Sequence, residues 1–232
     1  AAGWWASQGA HIYVHRVGAR HMIDPSRLVA SARRVYGDEM DTLWGELLPI
    51  DPNNLTELDD GDVITVGDFE FECLDTPGHA THHMAYRLGD VCFTGDSAGT
   101  RLADRAMIDI PASPPEFDRP TWLKTVERLQ SYNFREIYPT HFGRIADPAA
   151  HLSEFAAFIP MVSDFIGELM QAGKDRAEIL EAFIGWQTGR AKAAGFSPVE
   201  TEQYLTSSPP EVSVDGIMRF WRKKWEREAG NQ

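Results

Sequence analysis

Apolar and polar residues alternate along the middle of the chain, in two pairs of short segments. The first pair, 63–66 and 69–73, flanks a Gly-Asp dipeptide, and the second pair, 84–88 and 91–94, flanks another. Alternation with a period of two is typical of strands that bury one face, and a two-residue Gly-Asp connection favours a tight hairpin turn. The pattern therefore predicts two β-hairpins.

The loop length of the second hairpin determines which of its residues face each other. A two-residue loop at 89–90 pairs Leu88 with Val91 and places His83 opposite Asp96. Two residues that can bind metals are thus expected at the same end of this hairpin.

Other local signals divide the rest of the first part of the chain. They predict a strand at 11–15, a helix from Pro25 to Tyr36 with Asp24 as its N-cap, a surface crossing at 49–61, a long loop at 101–120, a helix at 121–131 and a strand at 135–138. Helices that alternate with strands indicate an α/β (α+β) fold.

From residue 148 onward the apolar residues recur with the period of a helix. A kink or restart is expected at Pro160, and a capping box at Asp175 and Glu178 predicts a second helix. The expected organisation is one domain at 1–147 and an all-helical extension at 148–232.

Composition narrows the function classes. The 232 residues are 43% hydrophobic and carry a net charge of −13, which excludes a disordered chain and disfavours nucleic acid as a partner. No apolar run is long enough for a membrane span, and no secretory signal opens the chain. Cys73 and Cys92 alone do not make a disulfide framework, so a cytoplasmic location is expected.

Three side chains that can bind metals each lie just beyond a predicted strand. They are His79, Asp96 and His141, within the segments TPGHATHH, FTGDS and PTHFG. Side chains at strand ends can converge where the regular backbone stops, and two imidazoles with a carboxylate suit Zn²⁺ or a similar divalent ion. The sequence therefore predicts a metal site.

These three segments resemble, in the right order, the third, fourth and fifth motifs of the metallo-β-lactamase-fold hydrolases, and the resemblance covers about residues 1–145. It implies an αββα sandwich with two divalent metal ions at one edge, Zn²⁺ first, with iron or manganese as alternatives. By this resemblance His79 binds the first ion, Asp96 bridges both, and His141 binds the second. It also implies hydrolysis by a metal-bridging hydroxide, with Asp96 as the catalytic carboxylate.

The first metal-binding motif of that family, His-x-His-x-Asp-His, does not occur in the 232 residues. In the family it precedes a segment resembling 3–15, so the chain, which begins at Ala1, is expected to be an N-terminally truncated piece of a longer hydrolase. Such a piece would hold half of a metal site and expose an unpaired sheet edge. Weak catalysis and self-association, with a homodimer as one form, are therefore expected.

Other side chains are candidates for supporting roles. Those that could hold the metal-binding imidazoles in place are His82, His83, Thr94 and Thr140. Met107 and Phe117 lie in the long loop after Asp96 and are candidates for contact with the substrate.

The leading functional hypothesis is a hydrolase that cleaves an ester, thioester or lactone bond in a small molecule. One alternative is a mononuclear iron sulfur dioxygenase, since the same fold hosts that reaction. Another is a catalytically inactive fragment or scaffold, which the missing motif suggests. In relatives such as glyoxalase II a C-terminal helical region contributes to thioester binding, so the extension is also a candidate substrate cover.

Overall fold

The computed structural model describes residues 1–101, 107–141 and 143–230. A five-stranded sheet forms its centre, in the order β3 (Val63–Val66), β4 (Phe69–Asp75), β5 (Met84–Leu88), β6 (Val91–Gly95) and β9 (Glu136–Pro139). β6 and β9 pair in parallel, and the other neighbouring strands are antiparallel. Consequently β4, β6 and β9 all end at the same edge of the sheet.

Both predicted hairpins are confirmed, with the expected register. Val66 pairs with Phe69 and Leu88 pairs with Val91. The first residue of each two-residue loop is a glycine with a φ of +60°. This conformation suits the tight turns whose twist matches that of the flanking strands, and glycine adopts it without steric cost.

One face of the sheet lies against α5 (Arg119–Ser131) and α6 (Pro148–Gln171). Each of β4, β5, β6 and β9 contributes one completely buried side chain to this face, namely Leu74, Ala85, Cys92 and Ile137. The same core continues into the C-terminal helices, so the helical region and the sheet share one hydrophobic interior.

A second, two-stranded sheet lies in the N-terminal part of the chain, where β1 (Ile12–His15) pairs in parallel with β2 (Leu55–Leu58). The prediction that 49–61 is only a surface crossing was therefore wrong. β2 is short and flanked by turn residues, and it is stabilised by its pairing and by burial of Leu58. Four helices accompany this sheet: α1 (Ala2–Ser7), α2 (Arg16–Ile23), α3 (Ser26–Tyr36) and α4 (Met40–Leu43).

The C-terminal region continues after α6 with α7 (Arg176–Ala193), α8 (Pro198–Ser207) and α9 (Pro210–Gly230). The predicted capping box of Asp175 and Glu178 opens α7. α6 runs through Pro160 without a restart, because burial of its apolar face offsets the ~3 kcal/mol that an internal proline costs. Across the described residues, no helix is long and apolar enough to cross a membrane.

The predicted long loop at 101–120 contains part of a small hairpin. β7 (Thr100–Arg101) pairs with β8 (Ile108–Asp109), and residues 102–106 lie outside the described part of the chain. Met107 and Phe117 are 2% and 5% exposed, because the C-terminal helices cover this segment. The expectation that these two side chains contact a substrate was wrong, since both belong to the core.

Acidification is expected to destabilise the fold through His151 on α6. This imidazole is completely buried, its Nε2 lies 2.8 Å from the carbonyl oxygen of Ala98, and burial lowers its pKa to about 4. The unfolded chain takes up a proton near pH 6.5 and the folded chain does not, so stability present above that pH is lost as the pH falls toward 4. The loss from this group should reach about 3 kcal/mol.

Urea unfolding at several pH values between 7.5 and 4.5 measures this loss. The variant His151→Gln keeps an amide that can donate to the Ala98 carbonyl but does not titrate. Its unfolding free energy should fall less steeply with pH than that of the wild type. Equal slopes for the two proteins would show that His151 does not contribute.

Candidate metal centre

The three predicted metal ligands meet at the sheet edge where β4, β6 and β9 end. His79 lies in the loop after β4, Asp96 follows β6 directly, and His141 lies just beyond β9. The parallel pairing of β6 with β9 brings the last two together, and Thr140 N–H donates to the carbonyl of Gly95 at 3.1 Å. The fold therefore gathers side chains that lie far apart in the sequence.

The two oxygens of Asp96 face two different imidazoles. Nε2 of His79 lies 3.6 Å from Oδ2, and Nε2 of His141 lies 3.6 Å from Oδ1. Two ligands of one tetrahedral zinc ion, each bonded at about 2.0–2.2 Å, lie roughly 3.3–3.6 Å apart. Oδ1 of Asp96 is also buried and has no hydrogen-bond partner among the described residues, as suits an oxygen that a cation would satisfy. The donor set thus fits a carboxylate shared by two ions.

In this arrangement each ion would have two donors from the described residues, one imidazole nitrogen and one carboxylate oxygen. Within 1–101, 107–141 and 143–230, no group of three or more His, Cys, Asp or Glu side chains is arranged around a single ion position. Zinc sites generally use three or four protein ligands. We therefore expect these residues to bind metal weakly by themselves.

The loop that carries His79 is packed closely against α5. Gly78 has a φ of +133°, and a Cβ there would lie 2.4 Å from the Cα of Trp122. The carbonyl of Gly78 accepts from the N–H of Asp118 at 3.0 Å, and that of Pro77 accepts from the hydroxyl of Thr125 at 2.6 Å. Only glycine allows this close approach, which fixes the start of the His79 loop.

His79 has a partner on each side of its ring. Its Nδ1 lies 2.6 Å from the carbonyl oxygen of Pro111, while its Nε2 faces Asp96. A neutral imidazole that donates from Nδ1 keeps the lone pair of Nε2 available for a metal. Pro111 was not singled out from the sequence, since a backbone carbonyl leaves no trace in residue type.

His83 holds the backbone of Asp96 in place. Its Nε2 accepts a hydrogen bond from the N–H of Asp96 at 3.0 Å, and its Nδ1 lies 2.7 Å from the hydroxyl oxygen of Thr76. Burial, together with the neighbouring His79, lowers the pKa of His83 to about 3. A neutral ring is required here, because Nε2 must accept while Nδ1 donates to Thr76.

The remaining candidates lie further from the three ligands. The side chain of His82 is 41% exposed and lies beside Glu116, with Nδ1 and Oε2 3.4 Å apart. Thr140 has an exposed side chain and contributes its backbone N–H. The hydroxyl of Thr94 is buried and has no hydrogen-bond partner within the described part of the chain.

Gly95 is expected to be intolerant of a side chain. It has a φ of +56°, and a Cβ would lie 2.5 Å from Nε2 of His83. Gly89, in the turn of the same hairpin, has a φ of +60°, but a Cβ there would meet no atom of the described residues within 4 Å. Gly89→Ala should therefore cost only backbone strain, about 1–2 kcal/mol, whereas Gly95→Ala should cost about 3 kcal/mol or more.

Urea unfolding of both glycine variants separates strain from steric conflict. The difference between them reports the contact with His83. Equal losses of unfolding free energy would mean that the packing of His83 against Gly95 is unimportant for stability.

The sequence and the structure of this chain are similar to those of known proteins. The family model of the metallo-beta-lactamase superfamily matches residues 1–141. A metallo-beta-lactamase fold-containing protein of Sulfurisphaera tokodaii, ST1585, is 31% identical over 120 residues, which are 52% of this chain and 45% of that protein. The crystal structure of ST1585 from Sulfolobus tokodaii superimposes with a TM-score of 0.62 at 21% identity, covering 90% of this chain and 71% of that one.

Two further relatives carry names that state a reaction. The probable polyketide biosynthesis zinc-dependent hydrolase PksB of Bacillus subtilis is 33% identical over 92 residues, 39% of each chain. The atrochrysone carboxyl ACP thioesterase dmxR1 of a Cryptosporiopsis species is 25% identical over 169 residues, 70% of this chain and 44% of that protein. The matches span less than half the length of each curated relative. With the family model matching more than half of its residues, this chain belongs to the metallo-beta-lactamase superfamily.

Proposed function

We propose that this chain supplies metal ligands to a metal-dependent hydrolase that cleaves an ester, thioester or lactone bond in a small molecule. The observation that carries the proposal is the Asp96 carboxylate, each of whose oxygens lies 3.6 Å from a different imidazole nitrogen. The names of two relatives, a zinc-dependent hydrolase and a thioesterase, support this reaction class.

Each residue has a distinct part in the proposed reaction. Asp96 would hold two divalent ions at a fixed separation, with His79 on one and His141 on the other. Such a pair, when bound, supplies a water of lowered pKa and polarises the carbonyl under attack. Neutral imidazoles leave most of the positive charge of the ions uncompensated. His83 holds the backbone of Asp96 in place by accepting a hydrogen bond from its N–H.

The metals proposed are two zinc ions, with iron or manganese as alternatives. Imidazole and carboxylate donors suit all three. Elemental analysis of the metal-loaded protein separates the proposal from a mononuclear iron sulfur dioxygenase: about two zinc ions per chain support the hydrolase, whereas one iron ion supports the oxygenase. A chain that binds neither would be better described as a scaffold.

The substrate proposed is a small molecule, because a net charge of −13 opposes binding of a polyanionic nucleic acid.

Homodimer formation also stays a prediction. Val66 on the edge strand β3 and Phe69 on the neighbouring strand β4 are 55% and 57% exposed, which favours self-association. Size-exclusion chromatography with light scattering at several protein concentrations tests it.

Hydrolysis assays test the proposed reaction. The 232-residue chain, loaded with Zn²⁺, is offered an aryl ester, an acyl thioester and a lactone, with Asp96→Asn and a chelator-treated sample as controls. We expect slow hydrolysis of at least one class that disappears in both controls, slow because each ion has two donors in the described residues. Rates that depend neither on metal nor on Asp96 would contradict the proposal.

A further inference from the structure

We propose that the C-terminal helical region orients the metal-binding ring of His79 by holding the carbonyl of Pro111 in place, with Ser213 as the positioning residue. The inference rests on the proposed role of His79 as a metal ligand. It assigns a part in the metal site to helices that contribute no ligand themselves.

The first link is the hydrogen bond between His79 and Pro111. Nδ1 and the carbonyl oxygen are 2.6 Å apart, which requires the proton of the neutral ring to be on Nδ1. Nε2 then keeps its lone pair on the side of Asp96, where the distance to Oδ2 is 3.6 Å. Partners of this kind fix both the tautomer and the orientation of a metal-binding histidine.

The second link joins the residues on either side of Pro111 to α9. The hydroxyl of Ser213 donates to the carbonyl of Ile110 at 2.8 Å and lies 3.4 Å from the N–H of Ala112, positioned to accept from it. Ser213 is 3% exposed, so water does not readily replace these contacts. One side chain of α9 thus holds the backbone before and after the Pro111 carbonyl.

The third link is close packing between the same segment and α9. A Cβ at Gly216 would lie 1.8 Å from the carbonyl oxygen of Ala112, so the helix axis approaches the segment as closely as glycine permits. Ile110 and Ala112 are completely buried. The segment therefore moves with α9 and has little room to move independently.

A buried polar cluster anchors the segment one step earlier, at Asp109. This carboxylate is 1% exposed and accepts from the hydroxyl of Ser208 at 2.6 Å and from Nε2 of Gln187 at 3.2 Å. Arg190 on α7 donates to the carbonyl of Ile108 at 2.7 Å. α7, the end of α8 and α9 all hold the strand that leads to Pro111.

The proposal gives Ser213 an effect that an ordinary buried serine would not have. Without its hydroxyl, the Ile110 and Ala112 backbone groups lose a partner, the Pro111 carbonyl shifts, and the bond to Nδ1 of His79 lengthens. The ring then samples the tautomer with its proton on Nε2, which cannot bind a metal through Nε2, the nitrogen that faces Asp96. Partners that hold metal ligands typically contribute about 10–100-fold to affinity, and Ser213 acts one step further away, so a loss of about threefold to tenfold is expected.

Ser163 on α6 provides a matched control. It is also completely buried within the helical region, and its hydroxyl has no hydrogen-bond partner among the described residues. Ser163→Ala and Ser213→Ala are the same chemical change, but only the second touches the segment that leads to Pro111. Ser213→Thr keeps a hydroxyl at the same position and serves as the conservative variant.

The test is nitrogen-15 NMR of histidine-labelled, metal-free protein at pH 8, with His79→Gln used to assign the His79 signals. We expect the Nδ1-protonated tautomer in the wild type, Ser163→Ala and Ser213→Thr, and a mixture of tautomers in Ser213→Ala. Zinc titrations of the same proteins should show the threefold to tenfold loss of affinity in Ser213→Ala alone. An Nε2-protonated ring in the wild type, or identical tautomers and affinities in all four proteins, would overturn the inference.

The two proposals fail in different ways in this experiment. A wild-type chain that binds no zinc would contradict the proposed function, and the tautomer of His79 would still report on Ser213. A wild-type chain that binds zinc, with no response of ring or affinity to Ser213→Ala, would leave the proposed function in place and contradict the positioning role.

Discussion

Replacing Asp96 with asparagine is expected to weaken zinc binding by about a hundredfold or more. Loss of partners that only hold a metal ligand already costs about 10–100-fold, and Asp96 would be shared by both ions. Each of its oxygens faces one imidazole at 3.6 Å. The amide therefore removes the oxygen donor from one of the two positions and the negative charge from both. Its backbone N–H still donates to His83, so the fold should persist.

Isothermal titration with Zn²⁺, or competition with a chromophoric chelator, measures this loss. Asp68→Asn is the matched control, because it removes the same charge from an exposed hairpin turn. It should bind zinc like the wild type. Equal affinities of Asp96→Asn and Asp68→Asn would mean that zinc binds elsewhere on the chain.

The substitution Gly216→Ala is expected to lower the free energy of unfolding by about 3 kcal/mol. The added Cβ would lie 1.8 Å from the carbonyl oxygen of Ala112 and 3.1 Å from the backbone nitrogen of Pro114. Both neighbours are backbone atoms, so relief requires α9 to move away from the segment at 110–114. Because α9 contributes Val214, Ile217 and Trp221 to the main core, such a shift also disturbs packing there.

Gly185 on α7 provides a control, because the same substitution there is expected to change the free energy of unfolding in the opposite direction. A Cβ at Gly185 would meet no atom of the described residues within 4 Å. In a helix with open space, alanine is favoured over glycine by up to about 1 kcal/mol, so Gly185→Ala should stabilise the protein. Urea unfolding followed by circular dichroism compares the two variants. Stabilisation by both would contradict the close contact between α9 and Ala112.

The parts of the fold that the sequence predicts correctly are those with local determinants. A two-residue Gly-Asp loop determines strand register, and the pairing of Leu88 with Val91 follows from it. The capping box of Asp175 and Glu178 similarly marks the start of α7. Ser197 and Glu200 form an equivalent capping box at α8. This helix is not predicted from the sequence, because it is short, buries little apolar surface and has a weak apolar periodicity.

Errors occur where tertiary contacts decide the outcome. Met107 and Phe117 are apolar residues in a loop near Asp96, and their sequence is equally compatible with a substrate contact or with the core. Their burial depends on α7, α8 and α9, which cover the loop from a distant part of the chain. The strand β2 is likewise stabilised by pairing with β1, not by its own pattern.

The candidate site shows the same division. His79, Asp96 and His141 each follow a strand, which local patterns reveal, so the sequence identifies them as possible ligands. The role of Pro111 depends on a backbone carbonyl that meets His79 across 32 positions of sequence, which no residue pattern indicates. His83 is one of several candidates from the sequence for supporting a metal ligand, and in the structure it accepts a hydrogen bond from the backbone of Asp96.

Anomalous diffraction at the zinc absorption edge, from crystals of the chain grown with Zn²⁺, tests the bridging role of Asp96 most directly. The predicted result is two anomalous peaks, each within about 2.0–2.2 Å of one Asp96 oxygen, one beside Nε2 of His79 and the other beside Nε2 of His141. Zinc peaks that all lie beyond bonding distance of Asp96 would contradict it.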